Sequence, residues 1–480
     1  MELAVNRRKQ EVKAYFNQIA HDLRSYRSSR KYYWNSIAEY CNFFIHDEDA
    51  VLQIGCANGD LLAALKGSKK TGFDFSEQMI AEAKKNHSEI NFFVDDIETS
   101  AHHEKYDVIV LSNLVGFLVD IETAFNKLNN LCHPHTRIII SHYNFVWEPF
   151  IRFAESFGIK KAQPYQSWLS MNDIKNLMYL SGFDVYRTKN HLLFPYRIPI
   201  ISTLLNKYIG HLPLIGDLGM NQFVIARPIA KELSDEELNQ KYSVSIVIPA
   251  RNESGNIEDA ILRLPKFGKF QEIIFIEGNS TDDTWIKIQE IAEKYKSTHR
   301  IKIGQQPGKG KGDAVRMGYD MSEGDMLMIL DADLTVPPED LPKFYNALAS
   351  GKAEFINGSR LVYPMEKNAM RPLNALGNKF FSIAFSWLLE QPIKDTLCGT
   401  KVLLKKDYER LKKNRTFFGE FDPFGDFDLI FGAYKLNLKI IDLPIRYQER
   451  IYGTTNISRF KHGWLLLKMV FFAMGKIKFR

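Results

Sequence analysis

The chain has few cysteines, no long apolar run and no internal repeat. Its four cysteines, Cys41, Cys56, Cys132 and Cys398, lie far apart and form no C-x-x-C pair. That excludes a zinc-ribbon or disulfide framework and fits a reducing cytoplasm. A membrane span needs about 20 consecutive apolar residues. The best candidate, Trp464 to Met474, is shorter and contains Lys468. The opening MELAVNRRKQEVKAYF has no apolar h-region, so no signal peptide is expected. His102–His103 and the His133, His135 pair lack further ligand neighbours and read as surface residues. A strong charge excess is also missing: the net charge of +6 comes from 63 basic and 57 acidic residues. Seven of the basic residues lie between Arg450 and Arg480, where no acid occurs, so the rest is close to neutral. That speaks against a nucleic-acid partner, which calls for a strong basic footprint.

What is present suffices for two α/β domains. The 480 residues are 45% hydrophobic and 25% charged, a globular balance. Two segments open like nucleotide-binding units: AVLQI (50–54) followed by GCANG, and VSIVI (244–248) followed by PARNE. The polar stretch KELSDEELNQKY (231–242) between them reads as a linker with room for a helical turn, giving domains 1–230 and 243–480. Strands are expected at 50–54, 70–74, 90–94, 106–111 and 137–142, with antiparallel additions at 183–186 and 222–226. In the second half they are expected at 244–248, 272–276, 301–303, 326–330 and 354–358. Continuous apolar runs such as YDVIVL suit parallel strands covered on both faces. The stretch 145–221, rich in Pro, Phe, Tyr and Leu, is expected to cover the first site.

In open α/β sheets ligands bind at the carboxyl ends of strands. Three such points occur in the first half: the turn Gly55-x-Ala57-x-Gly59, then Asp74, then Asp96. Small residues let the backbone approach a ligand, and a carboxylate at a strand end can accept both hydroxyls of a ribose. Over about residues 30–230 these points resemble the class I S-adenosylmethionine-dependent methyltransferases. The resemblance implies a Rossmann-like fold, with Gly55, Ala57 and Gly59 on the cofactor turn, Asp74 at the ribose and Asp96 at the adenine. Gln53 and Ala57 depart from the family pattern, as does LVGFL (114–118), which lacks an acidic–His pair.

The second half carries MLMIL running into Asp331-Ala-Asp333. Two carboxylates at a strand end suit a hard divalent cation held partly by substrate phosphates. Around them lie Pro249, Asn252 and Glu253; Glu277 and Asp282; GKGDAVR with Lys311; NGSR; DTLCGTK; Asp426 and Asp428; and Arg450 with Thr455. This ordered series resembles the family 2, GT-A-fold glycosyltransferases, most closely the dolichyl- and polyprenyl-phosphate hexosyltransferase branch, over about 243–465. It implies that Pro249, Asn252, Glu253, Glu277, Asp282 and Lys311 hold a nucleotide-sugar donor. Asp331 and Asp333 would bind Mg²⁺ or Mn²⁺ and the diphosphate, and Arg450 and Thr455 would close over the phosphates. Glu277-Gly278 replaces the family's two aspartates. For a hydroxyl acceptor, Asp428, or alternatively Asp426, would be the base; both also suit a helix N-terminus. The basic apolar tail can lie on a membrane surface or pack on its own domain.

Together these readings imply a bifunctional enzyme on the cytoplasmic side, the tail able to lie at the inner membrane face. It would join S-adenosylmethionine-dependent methyl transfer to inverting, metal-dependent sugar transfer onto a polyprenyl phosphate or glycan. The alternative is a glycosyltransferase whose first domain only binds or docks.

Overall fold

The computed structural model describes residues 2–28, 30–158, 162–230, 232–363, 372–413, 426–448, 450, 452 and 459–479. They form two compact units, residues 1–229 with Phe479 and residues 230–478. Each is built on a seven-stranded sheet.

The first unit has β1 (Ala50–Ile54), β2 (Lys69–Asp74), β3 (Asn91–Val94), β4 (Tyr106–Ser112), β5 (Cys132–Tyr143), β6 (Phe183–His191) and β7 (Asn221–Pro228). Their order is β3-β2-β1-β4-β5-β7-β6, parallel except for β7, which runs against both neighbours. The order reverses between β1 and β4, and the crevice at such a reversal is where this Rossmann-like fold binds ligands. Apolar runs make the inner strands buried on both faces. One face packs Ile37, Leu62, Ile80 and Ala83; the other packs Ala124, Phe125, Ile174 and Met178. Strand β6 runs five residues past the expected Tyr186 because its polar letters conceal burial: the Arg187 guanidinium is covered by Phe43 and Phe44.

The second unit has β8 (Val244–Ala250), β9 (Gln271–Glu277), β10 (Arg300–Gln305), β11 (Met326–Ile329), β12 (Phe355–Ser359), β13 (Lys401–Leu404) and β14 (Ile440–Pro444). The order is β10-β9-β8-β11-β13-β12-β14, with β13 antiparallel to β11 and β12, a GT-A-like mixed sheet. Strands β13 and β14 go beyond the sequence expectation. Each is only four or five residues long, and β13 opens on a fully buried Lys401 whose ammonium is held by the Cys398 carbonyl. The polar stretch before β8 is tied into this unit. Ser234 and Glu237 form a capping box on the helix Asp235–Asn239, Leu238 enters the core, and Lys241 Nζ donates to the Ala349 carbonyl at 2.6 Å.

The tail forms a helix, Arg459–Ala473, that buries Leu466, Met469, Val470 and Ala473 while Trp464 and Phe471 stay exposed. Among the described residues no helix is long and apolar enough to cross a membrane.

Candidate functional sites

At the first site the chain leaves β1 through three residues of positive φ: Gly55 (68°), Ala57 (49°) and Gly59 (79°). A Cβ at Gly59 would sit 2.6 Å from Phe92, so the turn requires glycine there for space as well as for φ. The Gly55 and Cys56 amides both donate to the Phe73 carbonyl, fastening the turn to the end of β2. Asp74 completes the join. One carboxylate oxygen accepts the Ala57 N–H at 2.9 Å and the other accepts the Ser76 N–H at 3.0 Å. Ser76 then caps the helix Glu77–Asn86, an interaction that contributes about 1 kcal/mol. Burial pushes the Asp74 carboxyl up to about 6, against the pull of those two amides.

Asp96 is engaged differently. Its carboxylate forms an ion pair with Lys9, which also reaches Glu98 at 2.6 Å. The helix Glu2–Ile19 therefore lies over the carboxyl edge, with Phe16 edge-on to Phe117 at 5.3 Å and Asn17 accepting from Ser76 Oγ. The expected cover contributes as well, since the Ser167 N–H donates to the Gly116 carbonyl at 2.8 Å.

Several groups at this edge carry no sequence motif. Arg27 donates to Asn58 at 2.8 Å and lies 4.2 Å over Trp34, while its buried Nε has no partner among the described residues. Asn113, at the end of β4 with φ 51°, donates to the Tyr33 hydroxyl at 3.3 Å. Its buried Oδ1 is likewise unpartnered among the described residues. Tyr33 donates to Asn221 and stacks on Tyr143 with 6.3 Å between ring centroids. Here Arg27, Asn113 and Tyr33 surround the turn with groups that can bind anionic and polar parts of ligands.

The second site is built from opposite charges. The loop after β8 and the loop after β9 interlock: Asn252 accepts from the Thr281 N–H at 2.8 Å, and the Glu253 N–H donates to Thr284 Oγ1 at 2.9 Å. Asp282 accepts the Thr284 N–H, and Glu277 accepts from Gln305 at 3.1 Å. Pro249 stands in the last residues of β8. Lys311 opens the helix Lys311–Met321 and reaches Asp331 at 2.6 Å. Arg450 spans the site, donating to Glu253 at 3.0 Å and to Asp333 at 2.6 Å. Burial pushes the Glu253 carboxyl up to about 7; Arg450 opposes this and Asp333 adds to it.

Gly399 closes one side of the cluster. A Cβ there would overlap both the Asp331 carboxylate and the Lys311 ammonium. Two strand-end carboxylates, with the Gly399 backbone close against Asp331 and with Lys311 and Arg450 at their border, form a donor set that fits a hard cation and a diphosphate. Among the described residues no three His, Cys, Asp or Glu side chains converge as a self-sufficient metal site.

Asp428 lies in the helix Asp426–Lys435 and faces Arg316 across 3.9 Å. It lines a cavity of about 490 Å³ together with Val315, Tyr319, Tyr408, Leu411 and Lys412. Thr455 and the side chain of Asp426 lie outside the described residues.

Comparison with known proteins agrees with this division. A methyltransferase domain family model matches residues 45–191, and the glycosyl transferase family 2 model matches residues 245–412. The dolichol-phosphate mannosyltransferase of Pyrococcus furiosus is 29% identical over 237 residues, 47% of this chain and 64% of the relative. The low-salt glycan biosynthesis hexosyltransferase Agl6 of Haloferax volcanii is 29% identical over 227 residues, 46% of this chain and 51% of the relative. The chain thus spans between half and two thirds of the length of these curated relatives. Among solved structures, glucosyl-3-phosphoglycerate synthase from Mycobacterium tuberculosis in complex with Mn²⁺, UDP and glucosyl-3-phosphoglycerate is 18% identical with a TM-score of 0.37. That match covers 52% of this chain and 85% of the other.

Proposed function

From a chain that joins a methyltransferase domain to a family 2 glycosyltransferase domain, we propose a bifunctional enzyme of cell-surface glycan or glycolipid synthesis. The second unit transfers a sugar, with inversion, from a nucleotide-sugar donor to a polyprenyl phosphate or a glycan hydroxyl. The first transfers a methyl group from S-adenosylmethionine. The observation that carries this reading is Arg450 bridging Glu253 and Asp333 beside the Lys311–Asp331 pair. Positive and negative groups that meet so closely are suited to exchange partners for a diphosphate and its cation.

In this reading Asn252, Glu253, Glu277 and Asp282, with Pro249, shape the nucleotide end. Lys311 and Arg450 turn toward the phosphates, and Thr455 follows Arg450 in the same motif. Asp331 and Asp333 would hold Mg²⁺ or Mn²⁺, which when bound would compensate the charge of the departing nucleoside diphosphate. Asp428 takes the proton when the acceptor is a hydroxyl; Asp426 is the other carboxylate of that loop. A phosphate acceptor is already anionic and needs no base, and Arg316 at 3.9 Å from Asp428 would hold it instead.

At the first site the Gly55–Gly59 turn admits the cofactor backbone-first, Asp74 accepts ribose hydroxyls, Asp96 reads the adenine amino group, and Arg27 pairs with the cofactor's carboxylate. S-adenosylmethionine supplies an electrophilic methyl group. Asn113 and Tyr33 then orient a polar acceptor at the end of β4, consistent with a step governed by positioning. The enzyme works on the cytoplasmic side, and the tail helix rests its exposed Trp464 and Phe471 against the inner membrane face. No nucleic acid is bound.

A second reading has one observation in its favour: Lys9 already occupies Asp96. A first unit held in that state would bind or dock without methylating. The test is a donor screen with Mn²⁺ or Mg²⁺ that follows nucleoside diphosphate release with and without polyprenyl phosphate. Release that no donor and acceptor pair stimulates contradicts the sugar-transfer assignment.

A further inference from the structure

The first site holds more positive charge than one cofactor carboxylate uses. Residues 23–38 contain Arg24, Arg27, Arg30 and Lys31 and no acid. Arg24 is engaged, donating to Asn86 at 2.9 Å. Arg27 and Arg30 are held another way. Each guanidinium lies over an aromatic ring, Arg27 over Trp34 at 4.2 Å and Arg30 over Tyr26 at 3.9 Å. A ring takes up the face of a guanidinium and leaves the N–H groups of its edge free to donate. The acids that act on Arg27 are already engaged. Asp60 meets His87 at 3.0 Å and Asn58 at 2.7 Å, and Asp74 accepts the Ala57 and Ser76 amides.

Both cations act on one hydroxyl. Tyr143 ends β5; burial and the neighbouring Tyr33 push its hydroxyl well up from the usual value, while Arg30 and Arg27 pull it back. The Tyr143 hydroxyl lies against that of Tyr33, which donates to Asn221 at 3.0 Å. Asn221 stands opposite Tyr143 in the β5–β7 register and is fully buried. Its Nδ2 donor has no partner among the described residues, and neither has Arg27 Nε. Unused donors at a buried site call for a ligand that accepts. Arg30 and Tyr33 also flank the start of the helix Lys31–Asn42, which opens with no side-chain cap and no acid in its first turn. Its N-terminal amides add to the same positive end.

We propose that the methyl acceptor of the first unit is an oxyanion, a phosphate or a carboxylate, bound by Arg30 with Tyr33, Tyr143 and Asn221. This rests on the reading of that unit as an S-adenosylmethionine-dependent methyltransferase, in which Arg27 takes the cofactor's carboxylate. The step balances without a base. One anionic oxygen bonds to the methyl carbon as the carbon–sulfur bond breaks, and the electron pair of that bond stays on sulfur. The positive charge of the sulfonium and one negative charge of the acceptor vanish together, and no proton moves. A neutral hydroxyl would have to lose a proton. The guanidiniums, phenols and amides gathered here accept none near neutral pH.

The test is calorimetric titration of the full chain, saturated with S-adenosylhomocysteine, with glucose 1-phosphate, glucuronate and glucose. Wild type is compared with Arg30→Gln. At least one of the two anions should bind wild type, and at least ~tenfold more weakly the variant, from the loss of a charge-assisted contact. Whichever anion binds more tightly names the class. Affinity for S-adenosylhomocysteine should be the same in both proteins, which shows the fold and the cofactor site intact. Methyl label from S-adenosylmethionine should then appear on that anion; mild alkali frees it as methanol from a carboxyl ester and leaves a phosphate ester intact. Anion binding that is absent, or equal in the two proteins, overturns the proposal. So does glucose bound as tightly as its phosphate. A wild type that fails to bind S-adenosylhomocysteine is a different failure, which removes the methyltransferase reading itself and this proposal with it.

Discussion

The two units use the same architectural rule and fill it with different chemistry. Both present loops at the carboxyl ends of parallel strands, β1, β2 and β4 in one and β8, β9 and β11 in the other. In the first, the turn after β1 is held by backbone amides on Phe73 and Asp74, and a neutral Asn113–Tyr33–Asn221 chain runs from the end of β4. In the second, the two carboxylates meet cations: Lys311 pairs with Asp331, and Arg450 pairs with Asp333 and Glu253, while the Thr335 hydroxyl also donates to Asp333. On the proposed function, a sulfonium already carries its leaving group, so the first site would mainly have to orient. A departing diphosphate gathers negative charge, which the second would have to compensate.

Substitutions should separate the two. Asp331→Asn should reduce sugar transfer by about a thousandfold while leaving methyl transfer intact; a loss of both would tie the sites together. Asp74→Ala should weaken S-adenosylmethionine binding by roughly a hundredfold in calorimetry, from two lost charge-assisted hydrogen bonds. That affinity should also depend on pH. With Asp74 raised to about 6 by burial, binding weakens as pH falls below 6, by up to ~tenfold per pH unit. Its stability term has the opposite sign. The raised carboxyl favours the fold fully below its unfolded value, and that contribution is lost as pH rises through about 6. Arg450→Lys should cost sugar transfer about tenfold, because an ammonium cannot span Glu253 and Asp333 together. Unchanged kcat/KM would remove the bridge from the account. The smallest effect is expected from Lys9→Ala, which frees Asp96 and should tighten cofactor binding a few-fold by calorimetry. Weaker binding would instead make Lys9 a support of the site.

Much of this was legible in the sequence because it is local. Apolar runs mark β1, β4, β8, β9 and β11, and β1, β8, β9 and β11 each run into a Gly, Asp or Glu motif within a few residues. What escaped is what depends on distant partners. Arg450 meets residues 197 and 117 positions away, Lys9 meets Glu98 from 89 positions away, and Tyr33 meets Asn113 from 80. Strands β13 and β14 escaped for a similar reason: a four-residue run such as KVLL becomes a strand only because β11 and β12 leave a slot for it. Buried Arg187 and Lys401 read as surface letters until Phe43, Phe44 and the Cys398 carbonyl are placed around them.

The central claim is that both units catalyse, each with its own residues. The most direct measurement incubates the full chain with S-adenosylmethionine labelled in the methyl group, a nucleotide-sugar panel, Mn²⁺ and polyprenyl phosphate. Methyl label and sugar are followed together in wild type and Asp74→Ala. The account predicts both transfers in the wild type and loss of the methyl label alone in the variant. Sugar transfer with no methyl label in any wild-type product would contradict it and leave the first unit a binding module.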